Sequence, residues 1–139
     1  MKDAQKTVGL LADKQKLCYI TYVEEDGFPQ TRAMLRPRER EGIKTFYLST
    51  NTSSNKVKFL FKNNKASLYF VDGRFYRGAC LSGTVEVLQT EEAKKRIWRM
   101  GDTMYYPKGV TDPDYCVLKF TAVKGRYYSG FKNEDFDID

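Results

Sequence analysis

The chain contains no histidine. That excludes Ser-His-Asp and Cys-His nucleophile systems, HExxH metal sites and imidazole general-base chemistry. Cysteine is scarce: Cys18, Cys80 and Cys116 lie far apart, with no CxxC spacing for zinc or redox work. Each sits in an apolar run and reads as a buried, reduced thiol. Neither GxxxxGK[ST] nor GxGxxG is present, so no glycine-rich phosphate loop is on offer. No apolar stretch approaches the ~18 residues of a membrane span. The opening MKDAQKTVGLLADKQK is charged throughout, unlike a secretory leader. These absences lead us to expect a soluble, cytoplasmic protein without metal.

What is present suits one domain. The length of 139 residues allows folding to bury roughly two-thirds of the extended surface. Aromatics at 14% are too many for a disordered chain. The net charge of +6 invites a phosphate-bearing partner.

The pattern along the chain predicts mostly strands. Ala4, Val8 and Leu11 recur at helical spacing, giving a short helix over 3–14. LCYITYV (17–23) reads as a strand covered on both sides. Asp26-Gly27 supplies a hairpin turn into a second strand over about 30–36, and 44–50 reads as a third. NTSSN (51–55) is rich in capping residues and starts a helix near Ser53 or Ser54, with Val57, Leu60 and Phe61 as its apolar face. Strands follow at 66–72 and 75–89, the latter bent at Gly83. Thr90 caps a helix over about 91–100, with Ala93, Ile97 and Met100 on its apolar stripe. A loop holding YYPKGVTDPD leads to strands at 115–122 and 126–131 and an acidic tail over about 132–139. About seven strands joined as hairpins, with three small helices, indicate a mainly β, antiparallel barrel or sandwich.

The positive charge is localised. Residues 30–65 hold nine basic side chains (Arg32, Arg36, Arg38, Arg40, Lys44, Lys56, Lys58, Lys62, Lys65) against only Glu39 and Glu41. This segment also contains the start of a helix, where free N–H groups and the dipole favour an anion. Thr50, Asn51, Ser54 and Asn55 add polar groups beside it, Lys56 adds a full charge, and Arg32 offers a bidentate contact. The competing description is a solvated helix face (Lys56, Lys58, Lys62) and a charged turn (Arg36, Arg38, Arg40). A nucleic-acid surface is disfavoured, because Phe59 and Phe61 fall in a helix and Phe46 and Tyr47 in a strand instead of interleaving with the charges.

At these residues the sequence resembles the pyridoxamine-phosphate oxidase-like, FMN-binding split-barrel family. TRAML (31–35) is similar to the family's Arg-initiated strand. STNTSSNK (49–56) is similar to its Thr-Asn…Ser-Arg-Lys signature, with Asn55 where Arg is usual. ASLYF (66–70) and LSGTVEVL (81–88) follow in family order, and residues 106–128 are most similar to the general-stress-protein branch. The resemblance covers about residues 5–128. It implies a single-domain, six-stranded antiparallel split barrel with small helices at its ends, and a homodimer with FMN at the subunit interface. Arg32 and Lys56 would bind the FMN phosphate, with Ser54 and Asn55 assisting. Ala33, Met34, Ser49, Thr50 and Asn51 would line the groove.

The sequence departs from authentic pyridoxamine-phosphate oxidases. Their C-terminal Trp-and-Arg motif and substrate-side His are absent, the only Trp being Trp98. Gly78 stands where they usually carry a flavin-contacting Gln. The resemblance therefore implies a related oxidoreductase on another small molecule, with NADH or NADPH as a possible electron donor. Tyr105, Tyr106 and Lys108 are the candidate substrate-side residues, the alternative being that the tyrosines pack the loop. A flavin-sensing module without turnover, a nitro-compound or flavin reductase, and a deazaflavin or haem in place of FMN stay open.

Overall fold

The computed structural model describes residue 1 and residues 3–138. Helix α1 (Ala4–Lys14) begins where the Asp3 carboxylate accepts a hydrogen bond from the Lys6 N–H at 3.2 Å. It buries Val8, Leu11 and Ala12. Strands β1 (Leu17–Val23) and β2 (Pro29–Leu35) form the expected hairpin, with Gly27 at φ +88° in its turn. A short β3 (Glu39–Glu41) and β4 (Thr45–Asn51) follow, then α2 (Asn55–Lys62). β5 (Lys65–Asp72) and β6 (Arg77–Leu88) make a second hairpin. α3 (Glu91–Ile97) is capped as expected, Thr90 Oγ1 accepting from the Ala93 N–H at 3.2 Å. Two single 3-10 turns (Asp102–Met104 and Gly109–Thr111) lead into β7 (Tyr115–Ser129) and β8 (Lys132–Asp137).

All strands join one antiparallel sheet in the order β2-β1-β5-β6-β7-β4-β3, with β8 added to β7. The sheet curls onto itself. Phe46 of β4 packs on Phe70 of β5 at 5.4 Å although three strand pairings separate them along the sheet. β2 and β3 do not pair, which leaves the barrel split. The interior is filled by Ile20, Phe46, Leu68, Phe70, Leu81 and Phe120, with Val57 and Leu60 of α2 closing one part of it. Burying each large side chain contributes about 2–3 kcal/mol. A second, smaller core lies outside the barrel, where Tyr47 and Tyr115 meet Ile97 and Tyr106.

Strands β1, β2, β4, β5 and β6 are those expected, but the sheet has eight strands where the resemblance implied six, and the remainder differs in instructive ways. The two strands expected at 115–122 and 126–131 are one, because Gly125 stays in the ladder instead of turning it. A Cβ at Gly125 would lie 2.2 Å from the Phe136 ring, so the glycine makes room for β8. The acidic tail accordingly supplies a strand, tied by Arg126 to Asp135 at 2.8 Å; Asp139 lies outside the described residues. Gly83, where a bend was expected, marks a register shift, and its Cα lies close against β7. α3 stops at Ile97, and Met100 is fully exposed instead of continuing the stripe. In α2 the buried positions are Lys56, Val57 and Leu60, whereas Phe61 is exposed. β1 buries only Cys18, Ile20 and Tyr22; Tyr19, Thr21 and Val23 are partly open, so within one chain the strand is covered on one side. Among the described residues, no helix is long and apolar enough to cross a membrane.

Candidate anion-binding site

β4 runs out at Asn51, and the chain turns through Thr52 and Ser53 into α2. The turn is heavily bonded. The Asn51 carbonyl accepts from the Ser54 N–H at 3.1 Å and from Ser54 Oγ at 2.8 Å. Ser54 is the N-cap, but its hydroxyl is spent on Asn51 and on Lys56 Nζ at 3.3 Å, so it does not cap the helix. The first turn of α2 therefore carries no side-chain acceptor and no acidic residue. Its free N–H groups point out as donors.

Lys56 follows at once. Only 8% of it is exposed, because Val57 and Leu60 draw this face of the helix into the barrel. Burial, and then the charge of Arg32, pull its ammonium below the ordinary lysine range. Arg32 itself stands exposed on β2, on the same side of the strand as buried Met34, and makes no ion pair among the described residues. Two cations thus approach one another with no carboxylate between them.

Several other charges of the basic segment find partners within the chain. Arg38 is clamped by Asp102, Arg40 by Asp13, and Lys62 by Glu25, while Arg36 donates to the Asp13 carbonyl at 3.0 Å. Glu39 and Glu41 pair with Arg96. Lys44, Lys58 and Lys65 are solvent-exposed and outside these pairs, whereas buried Lys56 is the cation that feels Arg32 beside the start of α2.

The remaining expected residues take varied positions. Asn55 is exposed at the start of α2. Strand alternation sends Thr50 to the barrel side, where it is buried, and Ser49 to the opposite side with Tyr47. Ala33 likewise faces away from Arg32 and Met34. A ligand touching all of these would use backbone at several. Tyr106 is buried against Tyr115 at 4.7 Å and belongs to the second core; Tyr105 and Lys108 are exposed. Larger clefts lie elsewhere, one with a volume of 840 Å³ between Tyr69, Tyr76, Tyr128 and Phe131. At Gly78 the space for a side chain is filled, since a Cβ would lie 2.8 Å from Tyr128 Oη. Among the described residues no group of three Cys, Asp or Glu is placed to hold a metal.

One residue of this region was not singled out from the sequence. Asp114, half-buried at the end of the loop before β7, accepts from Asn51 Nδ2 at 2.8 Å and from the Ser53 N–H at 2.8 Å. Its carbonyl accepts from the Thr52 N–H at 2.8 Å. These bonds hold its carboxyl below the usual carboxylate range. The only sequence signal for it is the turn-forming Asp112-Pro113-Asp114.

Comparison with known proteins agrees with this architecture. No curated protein matches the chain. A protein related to general stress protein 26 of Bacillus subtilis (pyridoxinephosphate oxidase family), from Clostridium acetobutylicum, is 41% identical with a TM-score of 0.90, over 98% of this chain and 95% of that one. A pyridoxamine 5'-phosphate oxidase-related, FMN binding protein of Nostoc punctiforme shares the fold at 10% identity and TM-score 0.69, over 100% and 98% of the two chains. A heme binding protein of Mycobacterium smegmatis shares it at 14% identity and TM-score 0.79, over 99% of this chain and 59% of that one. The family model described as pyridoxamine 5'-phosphate oxidase like matches residues 3–135. The chain belongs to the pyridoxamine 5'-phosphate oxidase-like family.

Proposed function

We propose that this protein binds FMN, with the phosphate between Arg32 and Lys56, and acts as an oxidoreductase on a small molecule other than a vitamin B6 phosphate. The carrying observation is the pair of unneutralised cations beside an uncapped helix start. A phosphate monoester dianion fits that donor set: Arg32 offers a fork of donors, Lys56 a point charge, and α2 its backbone N–H groups. When bound, FMN supplies the redox chemistry at its isoalloxazine ring. This chain's own residues anchor the phosphate, and the partial burial of Lys56 raises the strength of that contact.

A haem reading is weaker. The chain has no histidine to ligate iron. A flavin-binding module without turnover is the second reading, favoured by the lack, among the described residues, of an acid–base pair bonded to Arg32 or Lys56.

The same proposal includes a homodimer. Residues 29–33 of β2 are all exposed, and the outer side of β1 is half-open. A second copy laid there would cover both and wall the flavin. The three free cysteines suit a reducing, cytoplasmic setting.

The test is an absorption spectrum of freshly purified protein, followed by FMN titration and sedimentation. A flavin spectrum, or uptake of FMN with a gain in thermal stability, supports the reading. A colourless protein that gains neither overturns it. Anaerobic mixing with NADH or NADPH then separates an enzyme, whose flavin bleaches, from a passive binder.

A further inference from the structure

We infer that Asp114 is the positioning residue of the phosphate site, holding the turn between β4 and α2 in the shape that aims Lys56 and the helix N–H groups at one point. This rests on the phosphate reading above and names what enforces it.

Apart from the Ser54 bonds to the Asn51 carbonyl, the contacts that shape the turn come from Asp114. Residues 51–54 connect a strand to a short helix, and such a segment is free to adopt many forms. Each of its first three residues is tied to Asp114: the Asn51 side chain at 2.8 Å, the Thr52 N–H at 2.8 Å and the Ser53 N–H at 2.8 Å. The bond on Asn51 fixes the residue whose carbonyl in turn holds Ser54, and Ser54 Oγ holds Lys56 Nζ. The chain of contacts therefore runs from Asp114 to the cation in three links.

Asp114 is itself built in. Asp112 accepts from its N–H at 2.9 Å and from the Lys108 N–H at 3.1 Å. The buried Lys94 donates to the Asp112 carbonyl at 3.2 Å, and Tyr115 Oη donates to the Lys94 carbonyl at 2.8 Å. The loop before β7 is thus anchored on α3 and presents one carboxylate to the site. It has no direct reach toward the anion, since both its oxygens are occupied by the turn.

The test compares FMN with riboflavin, which has the same rings and lacks the phosphate. Binding to the full chain is followed by flavin fluorescence. Asp114→Ala is expected to weaken FMN about tenfold, one lost charge-assisted hydrogen bond expressed as affinity, and to leave riboflavin unchanged. Asp114→Asn keeps an acceptor for the Ser53 N–H and is expected to restore much of the loss. Asn51→Ala removes one of the contacts to Asp114 and is expected to shift the FMN-to-riboflavin ratio in the same direction by less. A natively melting Asp114→Ala protein with the wild-type ratio overturns the inference. If Asp114→Ala fails to fold, an unchanged ratio in Asn51→Ala overturns it instead. A wild-type protein with no preference for FMN over riboflavin overturns the phosphate reading first, which keeps the two failures apart.

Discussion

Arg38 and Asp102 face each other through two parallel hydrogen bonds, Nη1 to Oδ2 at 3.1 Å and Nη2 to Oδ1 at 2.8 Å. Both groups are largely buried, and Asp102 also accepts from the Arg99 N–H at 2.8 Å. The pair fastens the segment before β3 to the turn after α3. Removing one partner strands a poorly solvated charge. Asp102→Ala is expected to destabilise by about 3 kcal/mol in urea unfolding, and Arg38→Met combined with Asp102→Leu to recover most of it.

Gly83 has no room for a side chain. A Cβ there would lie 2.0 Å from the Thr121 carbonyl oxygen, a backbone atom that cannot swing aside. Gly83→Ala is expected to cost about 3 kcal/mol or more, or to abolish soluble expression. A melting temperature equal to wild type would show that β6 and β7 part easily at the register shift.

Lys56 makes opposite contributions to stability and to binding. Its folded pKa lies below the 10.5 of an ordinary lysine, so between those values the unfolded chain holds the extra proton. The charged form is therefore a cost in the empty protein, relieved as pH rises through the folded pKa. Lys56→Met is expected to leave the melting temperature of the cofactor-free protein unchanged or raised while weakening FMN at least about tenfold.

The same residue sets a pH profile. FMN affinity is expected to rise through about pH 6 as the phosphate takes its second charge. It is expected to fall again at a pH below 10.5, as Lys56 loses its proton. Lys56→Arg is expected to remove the alkaline fall; an unchanged profile would detach this ammonium from the phosphate.

The three thiols differ in access. Cys18 and Cys116 are fully buried, and burial pushes the Cys18 thiol up to about 12 and Cys116 in the same direction. Cys80 is half-buried on the outer side of β6. Ellman's reagent at about pH 8 is expected to label one thiol per native chain, and Cys80→Ser to remove that labelling.

Much of this fold is written locally. Asp3 and Thr90 cap their helices, and Asp26-Gly27 turns its hairpin, because each acts on backbone two or three residues away. The misread parts depend on distant neighbours. Gly125 signals a turn until Phe136 is known to occupy the space beside it. Arg38 and Arg40 look like free charge until Asp102 and Asp13 arrive from other elements. Arg32 and Lys56 stand out in the sequence through motif and charge, whereas the contacts of Asp114 do not, since no spacing rule links it to a turn about sixty residues earlier.

β7 has a consequence for how the molecule is assembled. It pairs with β6 along nearly its whole length and with β4 along its first half, so it is the seam between the two ends of the sheet. Thr50 meets its partner only at Cys116. Until that strand is in place β4 has only short β3 beside it, and the loop between them must close before the pairing is rewarded. Docking of β7 is therefore the long-range step on which closure of the barrel depends, and without it the edges of β4 and β6 stand bare to any other chain in reach.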